Sequence, residues 1–294
     1  MKLFSATPLS QFASGGAGPV SAEPAGRRII SLLEPPSQIR IVPIQRLAAG
    51  GRWRIEAMRA LSEPVLMWFT RGQGRITLGG VTRGYGTHNA VFIPAGVMHG
   101  FELGAQTAGI ALYFGSGCDV TLPHSIQHLR IRESGPQTEL SAILENIQRE
   151  MESKRPGADR AARHHLGLLG VWLERQAEIA AADAKRIPAA RRLAARYAAL
   201  LERDFRTGLG VADMAAELGV TPTHLSRACR EACGHPAHAL LADRRLYEAR
   251  RLLSETREPV KEIASVLGFT SPAYFTRAFH ASTGKTPTAF RRGA

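Results

Sequence analysis

The sequence predicts an α+β protein of several domains. A small antiparallel β-barrel or sandwich with a helix pair comes first, and an all-α C-terminal third follows. Three observations predict it. Short apolar segments broken by glycine run from about residue 38 to 115, the texture of closely spaced antiparallel strands. Apolar spacing becomes helical near residue 137, with side chains recurring every three or four positions. The C-terminal third contains two copies of one helical unit, and such self-similarity identifies an architecture more sharply than composition does.

In chain order, residues 1–26 are rich in Ser, Ala, Gly and Pro and read as a flexible arm. The β-rich domain is expected over 27–136. Gln38-Ile39-Arg40-Ile41 alternates, as does Arg52-Trp53-Arg54-Ile55-Glu56. Val65 to Phe69 reads as a strand buried on both faces, with Trp68 in the core. Gly74 to Leu78, Ala90 to Ile93 and Gly109 to Phe114 follow, separated by breaks such as Gly79-Gly80 and Gly84-Tyr85-Gly86. Over 137–182 a helix pair is expected, with Leu140, Ile143, Leu144 and Ile147 on one member and Leu166, Leu169, Leu173 and Ile179 on the other. Its apolar stripe must be buried on the barrel or on a second subunit, which makes it a candidate dimer contact. Residues 183–190 form a polar linker, and 191–294 read as helices with brief turns.

The chain has 294 residues, 44% of them hydrophobic and 21% charged, a composition that excludes a disordered chain. Net charge is +13, from 38 basic and 25 acidic residues, which fits a polyanionic partner. Residues 191–294 carry +7 of this in about a third of the length. No apolar run approaches the 18 or so residues of a membrane span, and Lys2 is followed by no signal-peptide core. Three cysteines make no disulfide framework. A cytoplasmic protein without a membrane partner is the expectation.

The repeat carries the function. Met214-Ala215-Ala216-Glu217-Leu218-Gly219-Val220 leads through a turn to Leu225-Ser226-Arg227-Ala228-Cys229, then Gly234. Ile263-Ala264-Ser265-Val266-Leu267-Gly268-Phe269 leads to Phe275-Thr276-Arg277-Ala278-Phe279, then Gly284. A small residue (Ala215, Ala264) allows two helices to cross closely, and a Gly four residues later ends the first helix in the left-handed conformation. Thr221-Pro222 and Ser271-Pro272 supply an N-cap and first helical position. Leu225 and Cys229, or Phe275 and Phe279, face inward. Thr223, Ser226, Arg227 and Arg230, or Ala273, Thr276, Arg277 and His280, are left outward. An arginine there is what major-groove readout requires, since one guanidinium can donate two hydrogen bonds to a guanine edge, while the capping Thr221 and Ser271 can meet phosphate. Between the units, Ala239 to Ser254 reads as a connecting helix, with Leu241, Leu246, Ala249 and Leu253 on its apolar stripe and Arg244, Arg245, Arg250 and Arg251 off it.

The run Arg245-Leu246, Ala249, Leu253, Ile263-Ala264, Leu267-Gly268-Phe269, Tyr274-Phe275, Arg277-Ala278-Phe279, Gly284 and Thr286-Pro287 resembles the signature of the AraC/XylS family of bacterial transcription regulators. The resemblance covers residues 191 to 292 and implies a double helix-turn-helix domain. It implies base contacts from Thr223, Ser226 and Arg227 on the first recognition helix and from Ala273, Thr276 and Arg277 on the second. The small size of Thr223 and Ala273 departs from the larger side chains common in the family. Double-stranded promoter DNA, RNA polymerase and a second copy of the chain are the implied partners.

Pro94-Ala95-Gly96-Val97-Met98-His99 resembles the second motif of cupins, P-x-G-x-x-H, which implies a cupin-like, effector-sensing barrel. His99, Trp53, Tyr85 and Phe101 are the candidate effector contacts, since a small-molecule pocket wants aromatic lining with a few polar groups. No His-x-His accompanies His99, so neither a metal nor another cofactor is expected. Cys229, Cys233 and His235 are a poor zinc set because Cys229 falls in the helix core. The expected function is a non-enzymatic, sequence-specific transcription regulator, an activator, controlled by a small-molecule effector. The alternatives are a metal-dependent cupin enzyme fused to a DNA-binding domain, or a protein that binds nucleic acid without sequence preference.

Overall fold

The computed structural model describes residues 38–115, 118–182 and 187–293. The arm read over 1–26 and the first four residues of the 183–190 linker lie outside the described residues. Eight strands make two antiparallel sheets: β1 Arg40–Pro43, β2 Val65–Arg71, β3 Gly74–Leu78, β4 Val81–Tyr85, β5 Asn89–Ile93, β6 His99–Phe101, β7 Ala108–Tyr113 and β8 Gln127–Arg130. The larger sheet has the order β1-β7-β2-β5-β8 and the smaller β4-β3-β6.

Strand β2 explains how the sheets stack. Its side chains alternate, so Val65, Met67 and Phe69 join Ile76, Leu78, Tyr85 and Phe101 between the two sheets. Leu66 and Trp68 point the other way, into a second core. That second core is completed by helices α2 (Ser134–Glu152) and α3 (Ala158–Ala182), through Leu140, Leu144, Ile147, Leu166, Trp172 and Leu173. The helix pair therefore buries its main stripe on the outer face of the larger sheet, within the chain. Each such side chain taken from water contributes roughly 1.5–3 kcal/mol.

One short segment departs from its expected texture. Arg52 to Glu56, which alternates like a strand, is instead a single helical turn, α1 (Trp53–Glu56). Gly50 and Gly51, at φ +84° and +126°, turn the chain just before it. Arg52 Nε then donates to Glu56 Oε1 at 2.8 Å, an i,i+4 pair. Five residues are too few to separate a period of 2 from one of 3.6, and tertiary contacts decide: Ile55 enters the inter-sheet core.

Seven helices make the C-terminal part: α4 Ala189–Asp204, α5 Val211–Glu217, α6 Pro222–Cys233, α7 Ala237–Glu255, α8 Val260–Val266, α9 Pro272–Thr283 and α10 Pro287–Arg292. Arg244, which the sequence leaves off the apolar stripe of α7, is buried at 3% exposure. It donates to both oxygens of Glu202 on α4 at 2.7 Å each and to Glu248 at 3.0 Å. The Glu202 partner is 42 residues away, out of reach of local periodicity. Glu248 also accepts from Arg206 at 2.8 Å and Arg251 at 3.0 Å. Burial pushes the Glu248 carboxyl up, but the guanidiniums of Arg244, Arg251 and Arg206 outweigh it and hold the group at about 2.

The two parts touch. The Met58 N–H donates to Asp243 Oδ2 on α7 at 2.7 Å. Trp53 stands 5.7 Å from the Tyr247 ring and 6.1 Å from that of Phe290, with the Arg250 guanidinium 5.6 Å over it. The β3–β4 turn presses on α4: a Cβ at Gly80, whose φ is +75°, would lie 2.7 Å from the Ala194 carbonyl oxygen.

Candidate nucleic-acid interface

Two matched helix pairs, α5–α6 and α8–α9, are joined by α7. In each, the first helix ends at a left-handed glycine, Gly219 (φ +72°) or Gly268 (φ +73°). A capping hydroxyl starts the second: Thr221 Oγ1 accepts from the His224 N–H at 3.2 Å and Ser271 Oγ from the Tyr274 N–H at 3.1 Å. Pro222 and Pro272 occupy the first helical turn. Glycines in the left-handed conformation, Gly234 and Gly284, close both helices, donating to the carbonyls of Arg230 and His280 at 2.8 Å each. The inner faces differ in chemistry but not in placement. Leu225 and Cys229 are buried in α6, and Phe275 and Phe279 in α9, where Phe279 meets Phe290 at 5.5 Å.

The outward faces are open. Thr221, Thr223, Arg227 and Arg230 are exposed on the first pair, and Ala273 and Arg277 on the second. Ser226, Ser271 and Thr276 are half-buried at the edge of each face. The two faces are not equivalent on their flanks. Ala228 and Ala232 of α6 are buried under α4, whereas Ser282 of α9, in the position of Ala232, is exposed.

Two further residues belong to these faces and were passed over in the sequence. His224 is exposed, its Nδ1 3.4 Å from Arg227 Nη2. Tyr274 is 53% exposed and leans on Phe269 at 6.0 Å. They occupy the same place in the repeat, fifty residues apart, so aligning the copies position by position would have found them.

The candidate effector residues do not come together. Tyr85 and Phe101 lie in the inter-sheet core with Phe69, whose ring stacks on Tyr85 at 4.1 Å and meets Phe101 edge-on at 6.3 Å. The Tyr85 hydroxyl donates to the Glu102 carbonyl at 2.6 Å. His99 is fully buried, with Nδ1 2.8 Å from the Val97 carbonyl and Nε2 without a partner. Burial and the nearby Arg59 charge lower it to about 3, which keeps the ring neutral. Trp53 is elsewhere, at the domain junction. Among the described residues no three His, Cys, Asp or Glu side chains are grouped to hold a metal. Burial pushes the Cys229 thiol up to about 12, against the thiolate a zinc site needs. No described helix is long and apolar enough to cross a membrane.

A helix-turn-helix domain family matches residues 214–293, from the middle of α5 through α10. The chain is 33% identical over 153 residues to the HTH-type transcriptional regulator GlxA of Rhizobium meliloti, covering 50% of this chain and 46% of that protein. It is 34% identical over 83 residues to the arabinose operon regulatory protein of Escherichia coli, covering 28% of each. The C-terminal domain of AraT, a response regulator from Geobacillus stearothermophilus, aligns at 30% identity with a TM-score of 0.34, over 37% of this chain and 89% of that one. The chain thus spans under half the length of the curated relatives it matches.

Proposed function

Residues 214–293 are a helix-turn-helix domain of the AraC/XylS type, and from that premise we propose that the protein is a transcription regulator that binds specific double-stranded DNA through α6 and α9. The observation that carries this reading is the duplication itself: two hydroxyl-capped helices, each with an arginine on an open face at the same point, on either side of one connector. Helix α7 has 19 residues, about 28 Å at 1.5 Å per residue. With its flanking turns that suits two helices entering successive major grooves about 34 Å apart. Arg227 and Arg277 read bases, with Thr223, Ser226, Ala273 and Thr276 beside them and Arg230 at the groove edge. Thr221 and Ser271 present helix N-termini to phosphate.

In this proposal the β-rich domain is the sensing half, a cupin-like barrel, and the chain is an activator that works with RNA polymerase. It acts as a homodimer through the outer face of α3, where Leu168 and Ile179 remain 55% and 64% exposed after the main stripe is buried. The protein performs no catalysis. Footprinting of the full chain on the region upstream of its own gene tests the DNA reading. A protected segment spanning two adjacent major grooves is expected; protection indistinguishable from that on random DNA overturns it. In the same assay Arg277→Ala lowers discrimination at one base pair by about 1–3 kcal/mol, whereas an equal loss on every sequence makes Arg277 a phosphate contact.

A further inference from the structure

The C-terminal helices meet the β-rich domain through Met58, Met98 and the β3–β4 turn. On the other side of that domain, where the helix pair covers the larger sheet, a groove of about 980 Å³ runs along α3. Ile39, Phe114 and Val120 line it from the start of β1 and the segment after β7, and Met151, Leu166 and Val171 from the helix pair. Phe114 and Leu166 belong to the core under the helix pair, and Ile39 and Val120 are partly buried against it. The groove is thus an open continuation of that core, in which Met151 and Val171 remain 39% and 41% exposed.

Two glycines of α3 show what the groove is shaped for. Glycine inside a helix is destabilising relative to alanine, so each asks for a close neighbour. A Cβ at Gly170 would lie 2.6 Å from the Thr121 carbonyl oxygen, where the segment after β7 crosses the helix. Gly167, one turn earlier, lines the groove, and a Cβ there meets nothing within 4 Å. The described residues account for one glycine and not for the other. The rim carries both signs, Asp159 and Glu174 against Arg160 and Arg163. Among the described residues none of these four forms an ion pair.

The chain itself carries a matching segment. The described residues begin at Gln38, and Gln38 lines the groove. Among the 37 residues before it the densest apolar run is Ile29-Ile30-Ser31-Leu32-Leu33, set between Arg27-Arg28 and Glu34. Leu33 is five residues from Gln38, within about 18 Å at full extension. The run itself spans at most about 17 Å, and α3 from Asp159 to Glu174 offers roughly 22 Å. We propose that residues 29–33 dock in this groove of their own chain. Their apolar side chains lie against Ile39, Val120 and Val171, their backbone passes over Gly167, and Arg28 and Glu34 meet rim charges of opposite sign. The segment takes Met151 and Val171 from water. It leaves open Leu168 and Ile179, assigned above to a second copy, which do not line the groove. This inference does not rest on the DNA-binding role.

Hydrogen–deuterium exchange on the full chain tests the docking. In the native chain the amides of residues 29–33 should exchange at least tenfold more slowly than their intrinsic rates, and hundredfold dilution should leave that protection intact. Val171→Asp, at an exposed position, and Gly167→Trp, which fills the groove, should each remove it while β2 stays protected. The groove is read independently through Cys118, which is half-buried in its wall. In Ile30→Ser/Leu32→Ser, a change outside the described core, Cys118 should react with N-ethylmaleimide at least fivefold faster than in the native chain. Exchange of residues 29–33 at the intrinsic rate in the native chain overturns the proposal, as does protection that survives both groove variants or a Cys118 rate unchanged in Ile30→Ser/Leu32→Ser. Protection lost on dilution would give the groove to the segment of a second copy and overturn docking within one chain.

Discussion

At the scale of the residue, His99 shows how burial, with a neighbouring charge, sets a chemistry. Its position two residues before Phe101 on β6 places it within the smaller sheet, paired through its backbone with Arg59 at 2.7 and 2.9 Å. The Arg59 guanidinium is itself buried and reaches the Ile55 carbonyl at 2.7 Å. A proton on His99 would put a second cation there, and the folded pKa of about 3 lies below the ordinary 6.5. The unfolded chain therefore binds the proton first as pH falls. The stabilisation is complete above pH 6.5 and is lost progressively between 6.5 and 3, at about 1.4 kcal/mol per pH unit in that window. His128, held at about 4 by burial and the Arg83 charge, acts with the same sign. Urea denaturation at pH 7 and pH 5 should show a loss of stability on acidification that His99→Gln reduces; an equal loss in native chain and variant would show that His99 is not its source. The sequence makes His99 legible as a barrel residue through its P-x-G-x-x-H setting, but not as a neutral one. That depends on burial in the folded chain and on Arg59, forty positions earlier.

At the scale of the element, the two helix pairs share their grammar and differ in their surroundings. The alanines, left-handed glycines and capping hydroxyls could all be located from the repeat, because each satisfies a local backbone requirement. What surrounds the two glycines could not. A Cβ at Gly219 meets nothing within 4 Å, whereas one at Gly268 would lie 2.4 Å from the Gly208 nitrogen and 2.8 Å from the Arg206 carbonyl oxygen. The second turn is thus pressed against the loop that leaves α4. Gly219→Ala should cost only the left-handed conformation, about 1–2 kcal/mol. Gly268→Ala adds a backbone collision and should cost clearly more, with loss of the α9 orientation. Thermal unfolding of the two variants compares them directly, and equal costs would mean that the loop moves aside freely. The short α1 illustrates the opposite limit. Its five-residue alternation carried no usable period, and contacts with Ile55 on one side and Trp53 on the other decided its conformation.

At the scale of the whole molecule, the charge that suggests a polyanionic partner divides into two populations. Arg206, Arg244 and Arg251 converge on Glu248, and Arg245 and Arg291 donate to backbone carbonyls. These arginines hold the C-terminal helices together. Arg227, Arg230 and Arg277 stay exposed and are left for a partner. A count of basic residues cannot separate the two, because the separation depends on partners, several of them some forty positions apart. Other long-range contacts join the two halves of the chain: the Met58 N–H to Asp243, Trp53 against Tyr247 and Phe290, and Met58 and Met98 in the core of the C-terminal helices. Asp243 is half-buried, and burial pushes its carboxyl up while the Met58 N–H stabilises the charged form. Removing that acceptor leaves a buried N–H unpaired, at about 1–3 kcal/mol, and Trp53 supplies the apolar contact beside it. Asp243 and Trp53 belong to none of the three buried clusters, whereas Met58 and Met98 of the β-rich half enter the core of the C-terminal helices. Asp243→Ala/Trp53→Ala should therefore loosen the junction without parting it: far-ultraviolet circular dichroism unchanged, and stability to urea lowered by at least the cost of the unpaired N–H. An unchanged stability would place the coupling elsewhere, in the Gly80 contact with α4 and in Met58 and Met98, and would make those contacts rather than the Asp243 bond the ones that hold the halves together.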